Sequence, residues 1–338
     1  MSKSYRKQDK SMSTIKDVAK YAGVSTATVS RVLNKKGPLS EKTIQKVNEA
    51  VEKLAYHPNV LARSLASGKN NTIGVLVPSY DHPFWSELLQ KMEEEAKRKG
   101  YNVLFTCFLG TLEEKQKALE YLISRQVNGI IVCAYPDSAF WKEAKKKFNL
   151  PVAFMVNVSD CDPSVISDDK QGGLLAARHL IAKGCKKLVH ISGNLSYYKE
   201  ADDRTYAFVE EAKRRNVDCY VYQNTIDITK LEELQKLVNK VFYEQPDMDG
   251  MFLSNDILAA QCIAFALSQG LRIPDDLRII GYDDIYISSL IYPPLTTIRQ
   301  NYRVLAETAL ENVLAQINGE KVDDVTVVPV ELIERKTT

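Results

Sequence analysis

The chain has 338 residues, of which 45% are hydrophobic and 26% are charged. This composition is typical of a globular protein and excludes collagen-like, mucin-like and largely disordered chains. The length predicts two or three domains, because a domain averages roughly 150 residues. No apolar run approaches the roughly 18 residues of a membrane span, and the polar N-terminus lacks the apolar core of a secretory signal. The sequence therefore predicts a cytoplasmic protein.

The charge is distributed unevenly along the chain. Residues 1–70 contain 14 Lys and Arg against 5 Asp and Glu, whereas the remaining 268 residues contain 31 against 38. A basic N-terminal segment on an acidic body favours a polyanionic partner, of which nucleic acid is the commonest.

Three short helices are predicted within residues 13–58, after a basic arm over residues 1–12 that is predicted to be disordered. The first helix begins near Thr14, and Gly23 ends it in a turn. Ser25 is the predicted N-cap of a second helix that reaches about Asn34, and Ser40 is the predicted N-cap of a third. The predicted core face of the third helix comprises Ile44, Val47, Val51 and Leu54.

Two short helices joined by a glycine turn near a basic N-terminus are typical of a helix-turn-helix. Small and hydrogen-bonding side chains on the second helix suit DNA, because Arg can bind guanine with two hydrogen bonds and small residues can contact thymine methyl groups. An amphipathic helix pair without DNA contacts has the same pattern, so the motif alone leaves both interpretations open. The predicted exposed face comprises Thr26, Ala27, Thr28, Ser30, Arg31 and Asn34.

After Asn71 short apolar runs alternate with amphipathic helical stretches. This order predicts parallel sheets covered by helices on both faces, in two α/β units of similar size that divide near residues 165–170. Ligands of such sheets bind beyond the carboxyl ends of the strands. The predicted strands begin at Thr72, Val103, Gly129, Pro151, Lys187, Cys219, Gly250 and Leu277.

Polar and aromatic residues near these strand ends predict a small-molecule site. Hydrogen-bonding side chains opposite an aromatic wall suit a sugar-like ligand, since arginine and carboxylate groups can each bind two neighbouring hydroxyls. Each residue also has a structural interpretation, as a helix cap for the polar ones or a core residue for the aromatic ones. The polar candidates are Asn157, Arg204, Asn255 and Asp283, and the aromatic candidates are Phe84, Trp85 and Tyr302.

Motifs of enzymes and metal sites are missing from the sequence. It contains no GxGxxG, GxxxxGK[ST] or GxSxG motif, and its four histidines form no HExxH. The adjacent Asp283 and Asp284 invite an acid/base interpretation but lack an accompanying nucleophile, metal set or phosphate loop. The six cysteines form no CxxC pair and are interpreted as reduced thiols. The sequence predicts no catalytic residues, no metal and no cofactor.

The segment from Thr14 to Asn34, TIKDVAKYAGVSTATVSRVLN, resembles the headpiece of the lac/gal repressor family. Residues 40–43 and 56–59 are similar to the same headpiece, and residues 59–66, NVLARSLA, resemble the hinge of the family. Further similar segments are Ser254–Asp256, Ile280–Asp284, Pro293–Ile298 and Glu334–Thr338. The resemblance covers about residues 14–338.

The resemblance implies an all-α helix-turn-helix headpiece and an α/β two-lobed core like that of periplasmic binding proteins. The implied divisions are an arm at 1–12, the headpiece at 13–58, a hinge at 59–70 and the core at 71–338. Within the core, an N-lobe covers about 71–167 and 299–327, and a C-lobe covers about 168–298 and 328–338.

The resemblance also implies DNA and effector contacts. The hinge folds into a helix on operator DNA, and Leu65 enters a central minor-groove step, where an apolar wedge can bend the duplex. Asn157, Arg204, Asn255, Asp283 and Tyr302 match positions that line the effector cleft, although Asn157 stands where the lac repressor has aspartate. The predicted DNA-binding residues are Thr14, Lys16, Ser25, Thr26, Ala27, Thr28, Ser30, Arg31, Asn34, Ser40, Thr43, Tyr56, Asn59, Leu65 and Ala66.

The predicted function is that of a transcription regulator, a repressor that binds near-palindromic operator DNA as a homodimer under the control of a small sugar-like effector. The chain has no C-terminal leucine heptads, which favours a dimer over a tetramer. One alternative is the same architecture responding to a protein coregulator. A second is a two-lobed solute-binding protein, which the basic N-terminus and the missing signal peptide disfavour. A third is an enzyme that uses Asp283 and Asp284.

Overall fold

A computed structural model describes residues 13–33, 37–56, 70–108, 111–133, 138–160, 162–193, 200–224 and 230–338. The chain separates into two compact units between Asn70 and Asn71. The first unit contains the headpiece and the second contains the α/β core.

The headpiece consists of three helices around a small apolar core. A capping box begins the first helix, since the Thr14 hydroxyl accepts from the backbone of Asp17 and the Asp17 carboxylate accepts from the backbone of Thr14. Gly23 ends this helix with a φ of 67°, a left-handed conformation that favours glycine. The helices are α1 Ile15–Ala22, α2 Thr26–Leu33 and α3 Glu41–Lys53.

The core face of α3 differs from the predicted one. Val47 and Ala50 are fully buried, whereas Ile44, predicted to belong to the core, is 37% exposed. At 3.6 residues per turn, Ile44 lies about 90° from the centre of the buried face. Val51 and Leu54 are partly buried against the headpiece core. The predicted apolar stripe was therefore wrong at Ile44.

The second unit contains two six-stranded sheets, and we call the part built on the first sheet the N-lobe. Its strand order is β11-β5-β4-β3-β1-β2, with every pairing parallel. The strands are β1 Thr72–Val77, β2 Asn102–Cys107, β3 Gly129–Val132, β4 Val152–Met155, β5 Ser164–Ser167 and β11 Val325–Val328. The helices are α4 Pro83–Arg98, α5 Leu112–Ser124, α6 Ser138–Phe148 and α11 Tyr302–Ile317.

The part built on the second sheet is the C-lobe. Its strand order is β12-β10-β9-β8-β6-β7, and only the pairing of β10 with β12 is antiparallel. The strands are β6 Lys187–Ser192, β7 Asp218–Gln223, β8 Gly250–Leu253, β9 Arg278–Asp283, β10 Thr296–Arg299 and β12 Glu331–Ile333. The helices are α7 Asp169–Ala182, α8 Glu200–Arg214, α9 Leu231–Glu244, α10 Asp256–Ser268 and the 3₁₀ helix Tyr286–Ser289.

The chain crosses between the lobes three times, after β5, after β10 and after β11. The strands nearest these crossings were not among the predicted ones, because hydroxyl residues interrupt their apolar pattern. Those hydroxyls are buried and bonded: Ser164 donates to the carbonyl of Asp162, and Thr297 donates to the carboxylate of Asp256. Buried polar side chains with partners do not break a strand, although they hide it from a hydrophobicity pattern.

Apolar clusters fill the space between sheets and helices in both lobes. Leu88 and Leu305 pack between α4, α11 and the first sheet, and Leu258 and Ile279 pack beside the second sheet. Cys133 and Cys262 are fully buried free thiols, and burial raises the pKa of both. Within the described residues, no helix is long and apolar enough to cross a membrane.

Candidate DNA-binding and effector sites

The second helix of the headpiece presents a polar surface opposite its buried face. Thr26 and Ala27 are exposed at its beginning and Arg31 is exposed near its end. Thr28 and Ser30 are half-buried, and Val29 and Val32 are buried against the headpiece core. The side chains predicted to contact bases therefore occupy a surface of the kind that a DNA groove can receive.

Three of the predicted DNA-binding residues cap helices. Ser25 Oγ accepts a hydrogen bond from the backbone N–H of Thr28 at 3.1 Å. Ser40 Oγ accepts from the backbone of Thr43 at 3.3 Å and bonds to the Thr43 hydroxyl at 2.8 Å. Thr14 caps α1 in the same way. The N–H groups of a helix beginning also favour phosphate, so these positions are compatible with both capping and DNA contact.

The remaining predicted DNA-binding residues divide into three groups. Lys16 is exposed on α1. Tyr56 is only 9% exposed and packs in the headpiece core, so its ring contributes to the core and is not exposed for a DNA contact. The others lie outside the described residues, and they are Asn34, Asn59, Leu65 and Ala66.

Asn157 in the core is a buried amide without a hydrogen-bond partner. It follows β4, after Val156 with a φ of 76°. The side chain is 1% exposed, and neither Oδ1 nor Nδ2 has a partner within the described residues. Leaving a buried polar group unpaired is costly, and native proteins contain few such groups. An unpaired amide beyond a strand end is therefore a strong indication of a ligand position.

Arg204, in α8, is held by several contacts. Its Nε and Nη2 donate to Oδ1 of Asp169 at 3.2 and 2.6 Å, and its Nη1 donates to the carbonyl of Ser254 at 2.7 Å. The guanidinium carbon lies 3.2 Å from the ring centroid of Tyr282. The side chain is therefore fixed in one position and retains part of its donor capacity for a ligand.

Asn255 and Asp283 have different local roles. Asn255 is the N-cap of α10, and its Oδ1 accepts from the backbone of Leu258 at 2.9 Å, which agrees with the structural interpretation. Asp283 ends β9 with a φ of 107° and caps no helix. Its Oδ1 accepts from Nε2 of Gln300 at 2.7 Å. Burial and the neighbouring Asp256 carboxylate raise the pKa of Asp283.

The aromatic candidates belong mainly to the N-lobe core. Phe84 and Trp85 are each 6% exposed and pack edge to face, with ring centroids 4.8 Å apart. The ring centroids of Tyr302 and Phe84 lie 5.5 Å apart, and the Tyr302 hydroxyl donates to the carbonyl of Asp283 at 2.7 Å. The structure therefore supports the core interpretation for Phe84 and Trp85. Tyr302 instead contacts the polar residues around Arg204 and Asp283, which we call the polar cluster.

Comparison with known proteins places this geometry in a family. Residues 14–59 match the description "Bacterial regulatory proteins, lacI family", and residues 177–338 match a periplasmic binding protein-like domain. The chain is 37% identical over 332 residues to the ribose operon repressor of Bacillus subtilis (strain 168), covering 97% of this chain and 99% of that protein. The chain belongs to the lacI family.

As a lacI-family member, the protein is a DNA-binding transcription regulator and not an enzyme. The predicted fold class is confirmed by a crystal structure of the Lac repressor bound to ONPG in the repressed state. It has a TM-score of 0.85 and 31% sequence identity, and the match covers 97% of this chain and 100% of that one. A lacI-type regulator from Alkaliphilus metalliredigens QYMF, complexed with D-xylulofuranose, has a TM-score of 0.69 and 32% sequence identity. That match covers 79% of this chain and 99% of the other. The regulator interpretation is favoured over the solute-binding and enzyme alternatives.

Three residues of the polar cluster were missed by the sequence analysis. Asp169 binds Arg204, Ser254 has a buried and unpaired hydroxyl, and Gln300 links Asp283 to the hydroxyl of Ser167 at 2.6 Å. Signals existed for Ser254, which directly follows β8, and for Asp169. Asp168 caps α7 by accepting from the backbone of Gln171, so a cap signature would have moved the predicted helix start to Asp169.

Proposed function

We propose that the protein is a cytoplasmic repressor that binds a near-palindromic operator as a homodimer and that a small, hydroxyl-rich effector bound between the lobes controls its DNA affinity. The buried and unpaired amide of Asn157 is the observation that carries the effector site. We also propose the predicted division of the chain into arm, headpiece, hinge and core as the functional division.

The headpiece reads the operator through α2. Thr26 and Ala27 contact base edges, and Lys16 and Arg31 contact phosphates or bases, because these side chains are exposed on one small basic unit. The capping residues Thr14, Ser25 and Ser40 place helix N–H groups where phosphates bind. The entry of Leu65 into the minor groove stays a prediction, because residues 57–69 lie outside the described chain.

The effector is proposed to be sugar-like. Asn157 supplies an acceptor and two donors, Arg204 supplies N–H groups, and Asp283 supplies carboxyl oxygens, which together suit neighbouring hydroxyls. Relatives named after ribose and sucrose support this class, as does the D-xylulofuranose complex.

An apolar surface on the C-lobe supports the proposed homodimer. Tyr286, Leu290 and Tyr292 are 59%, 74% and 86% exposed within seven consecutive residues. Exposed apolar patches of this kind usually mark protein interfaces. A second copy of the chain is the proposed occupant, since a solved dimer of the Lac repressor bound to operator has a TM-score of 0.83 to this chain.

The effector is proposed to act by changing how the lobes close. Oε1 of Glu87 in the N-lobe accepts from the backbone N–H of Tyr286 in the C-lobe at 2.9 Å. Ile285 and Ile287 of the C-lobe pack with the N-lobe core. A ligand that contacts both lobes alters the balance between closed and open forms in proportion to its differential affinity.

Selection of bound sequences from random DNA, with and without a carbohydrate panel, tests this function. We expect a near-palindromic sequence to be enriched and at least one sugar to change its recovery. Failure to enrich any sequence would contradict the proposed operator recognition. Enrichment that no sugar alters would point to a protein coregulator.

A further inference from the structure

The arginines that the structure describes beside Asp283 and Asp284 are all paired with carboxylates. Arg204 donates two hydrogen bonds to Asp169. Arg299 and Arg335 form ion pairs with Asp284 at 2.7 and 2.6 Å. Arg299 also lies 3.9 Å from Glu331, so each of the three guanidinium groups has at least one carboxylate partner within the protein.

Asp169, Tyr282 and two glycines form a close-fitting holder for Arg204. The Tyr282 hydroxyl donates to Asp169 Oδ1 at 2.5 Å, the same oxygen that Arg204 binds, while the guanidinium lies on the Tyr282 ring. A β-carbon on Gly172 would lie 2.7 Å from that ring, and one on Gly173 would overlap the carbonyl of Arg204. The orientation of Arg204 is therefore fixed before a ligand arrives.

This arrangement leaves a defined set of donors. A guanidinium carries five N–H groups. Within the described residues, Arg204 uses its Nε–H and one N–H on each Nη, in bonds to Asp169 and Ser254. One N–H remains on each Nη, and two donors on neighbouring nitrogens can bind two adjacent hydroxyl oxygens.

Carboxyl groups outnumber cations around Arg204. Asp169 is its partner, Asp283 is bonded to the neutral amide of Gln300, and Asp256 accepts from the hydroxyls of Ser288 and Thr297. Among the residues that the structure describes here, a phosphate dianion would lose its hydration without gaining an unpaired cation. Burial and the neighbouring Asp256 carboxylate raise the pKa of Asp283, so these carboxyl groups lie close enough to influence one another.

We infer that Asp169 is a positioning residue for Arg204, and that this pair restricts the cleft to uncharged, hydroxyl-rich ligands, so that a free sugar binds and its phosphate ester does not. The inference rests on the proposed function of the cleft as the effector site.

Calorimetry on the full chain with D-ribose and D-ribose 5-phosphate tests the selectivity. The wild type is expected to bind the free sugar at least tenfold more tightly than the ester. Asp169→Asn is expected to weaken D-ribose binding about tenfold and to narrow the ratio between the two ligands, because the released guanidinium can meet a phosphate. Asp276→Asn is the matched control: it removes the carboxylate of the exposed ion pair between Arg272 and Asp276, outside the holder of Arg204, and is expected to leave the ratio unchanged.

If Asp169 had only a structural role, Asp169→Asn would weaken the binding of both ligands equally and leave the ratio of their affinities unchanged. That result would overturn the inference. An ester that binds the wild type more tightly than the free sugar would overturn it too, while the effector site itself would stand. Melting temperatures of all variants separate these outcomes from misfolding.

Two further measurements need no sugar. The first measurement is the melting temperature with inorganic phosphate or pyrophosphate added. We expect neither anion to stabilise the protein through Arg204. A rise in melting temperature that is present in the wild type and lost in Arg204→Ala would contradict the exclusion of phosphate. Hydrogen exchange of the Arg204 Nε–H by NMR is expected to accelerate at least tenfold in Asp169→Asn, and unchanged exchange would overturn the positioning role. If neither ribose ligand binds, D-ribose is not the effector, and these two measurements still decide the inference.

Discussion

At the scale of single residues, Asn157 favours ligand binding and reduces the stability of the ligand-free protein. Its amide is buried without a partner in the N-lobe, so the folded protein gains nothing from its polarity. A ligand that supplies the missing hydrogen bonds would recover that loss. The amide therefore acts for binding at the expense of the ligand-free fold.

We expect Asn157→Leu to stabilise the ligand-free protein by about 1 kcal/mol, because an unpaired amide is replaced by an apolar group of similar size. The same change should weaken effector binding at least tenfold. Thermal unfolding and calorimetry measure the two effects. Asn312→Leu is a suitable control, since Nδ2 of Asn312 is also buried and unpaired but lies on α11, about three turns from Tyr302. Loss of stability in Asn157→Leu without loss of affinity would contradict this account.

His190 on β6 predicts a pH dependence of stability. Its ring is fully buried, contacts Phe208 and Phe252, and bonds to the Phe252 carbonyl at 2.9 Å. Burial, with a contribution from Arg204, lowers the pKa of His190 to about 4. The unfolded chain therefore binds a proton more readily, and stability should fall as the pH decreases from about 6.5 to about 4.

Replacement of this ring should remove that part of the pH dependence. Denaturant unfolding of His190→Gln and the wild type between pH 7.5 and 4.5 measures the difference in slope, which isolates His190 from the carboxylates. The expected contribution is at most about 3 kcal/mol. Parallel pH profiles of the two proteins would show that His190 does not titrate as the structure implies.

At the scale of elements, α2 is expected to determine which operator is bound. Thr26 and Ala27 are exposed at its beginning, where recognition helices contact base edges. Substituting both should change the sequence selected from random DNA while leaving headpiece stability within about 0.5 kcal/mol. Gln45 and Asn48, exposed on α3, are the control pair. An unchanged selected sequence after the Thr26 and Ala27 substitutions would exclude α2 as the recognition helix.

Elements were predicted well where a single pattern dominates. The run from Thr72 to Val77 is a strand with the predicted bounds, because Ile73 to Val77 form a continuous buried run without polar side chains. Strand β5 was missed because hydroxyl residues interrupt its apolar pattern, although Ser164 bonds to the carbonyl of Asp162 only two positions away. Strand β10 was missed because its buried Thr296 and Thr297 hydroxyls find their partners in Thr338 and Asp256, 42 and 41 positions away. Local patterns do not contain such partners.

The residues of the candidate effector site, like the strands, could be predicted from the sequence only in part. Predicted strand ends and the family resemblance identified Asn157, Arg204 and Asp283. The structure leaves the Asn157 amide buried and unpaired among the described residues, and it gives Arg204, on α8, and Asp283 polar partners. Neither source revealed that Arg204 is held by Asp169, because the two residues are 35 positions apart and meet only after folding. Phe84 and Trp85, predicted as walls of the cleft, pack in the N-lobe core, and their role as walls stays a prediction, since an aromatic residue near a strand end has the same local pattern in a core.

At the scale of the whole molecule, the uneven charge predicts how DNA affinity depends on salt. Residues 1–70 contain 14 basic and 5 acidic residues, so DNA binding should release several counterions per subunit. For a dimer we expect the logarithm of the binding constant to fall against the logarithm of salt with a slope steeper than about −4. Fluorescence anisotropy from low to moderate salt measures it. A slope near zero on operator DNA would contradict the role of the basic N-terminal segment.

The most direct test of the account is operator binding titrated with the effector that the carbohydrate panel identifies. The wild type should change its operator affinity about tenfold or more when the effector is added, whereas Arg204→Ala and Asp283→Asn should bind operator but lose the response. The reason is that a ligand changes the balance between two states only through contacts that differ between them. A full response in both variants would contradict an effector site between the lobes.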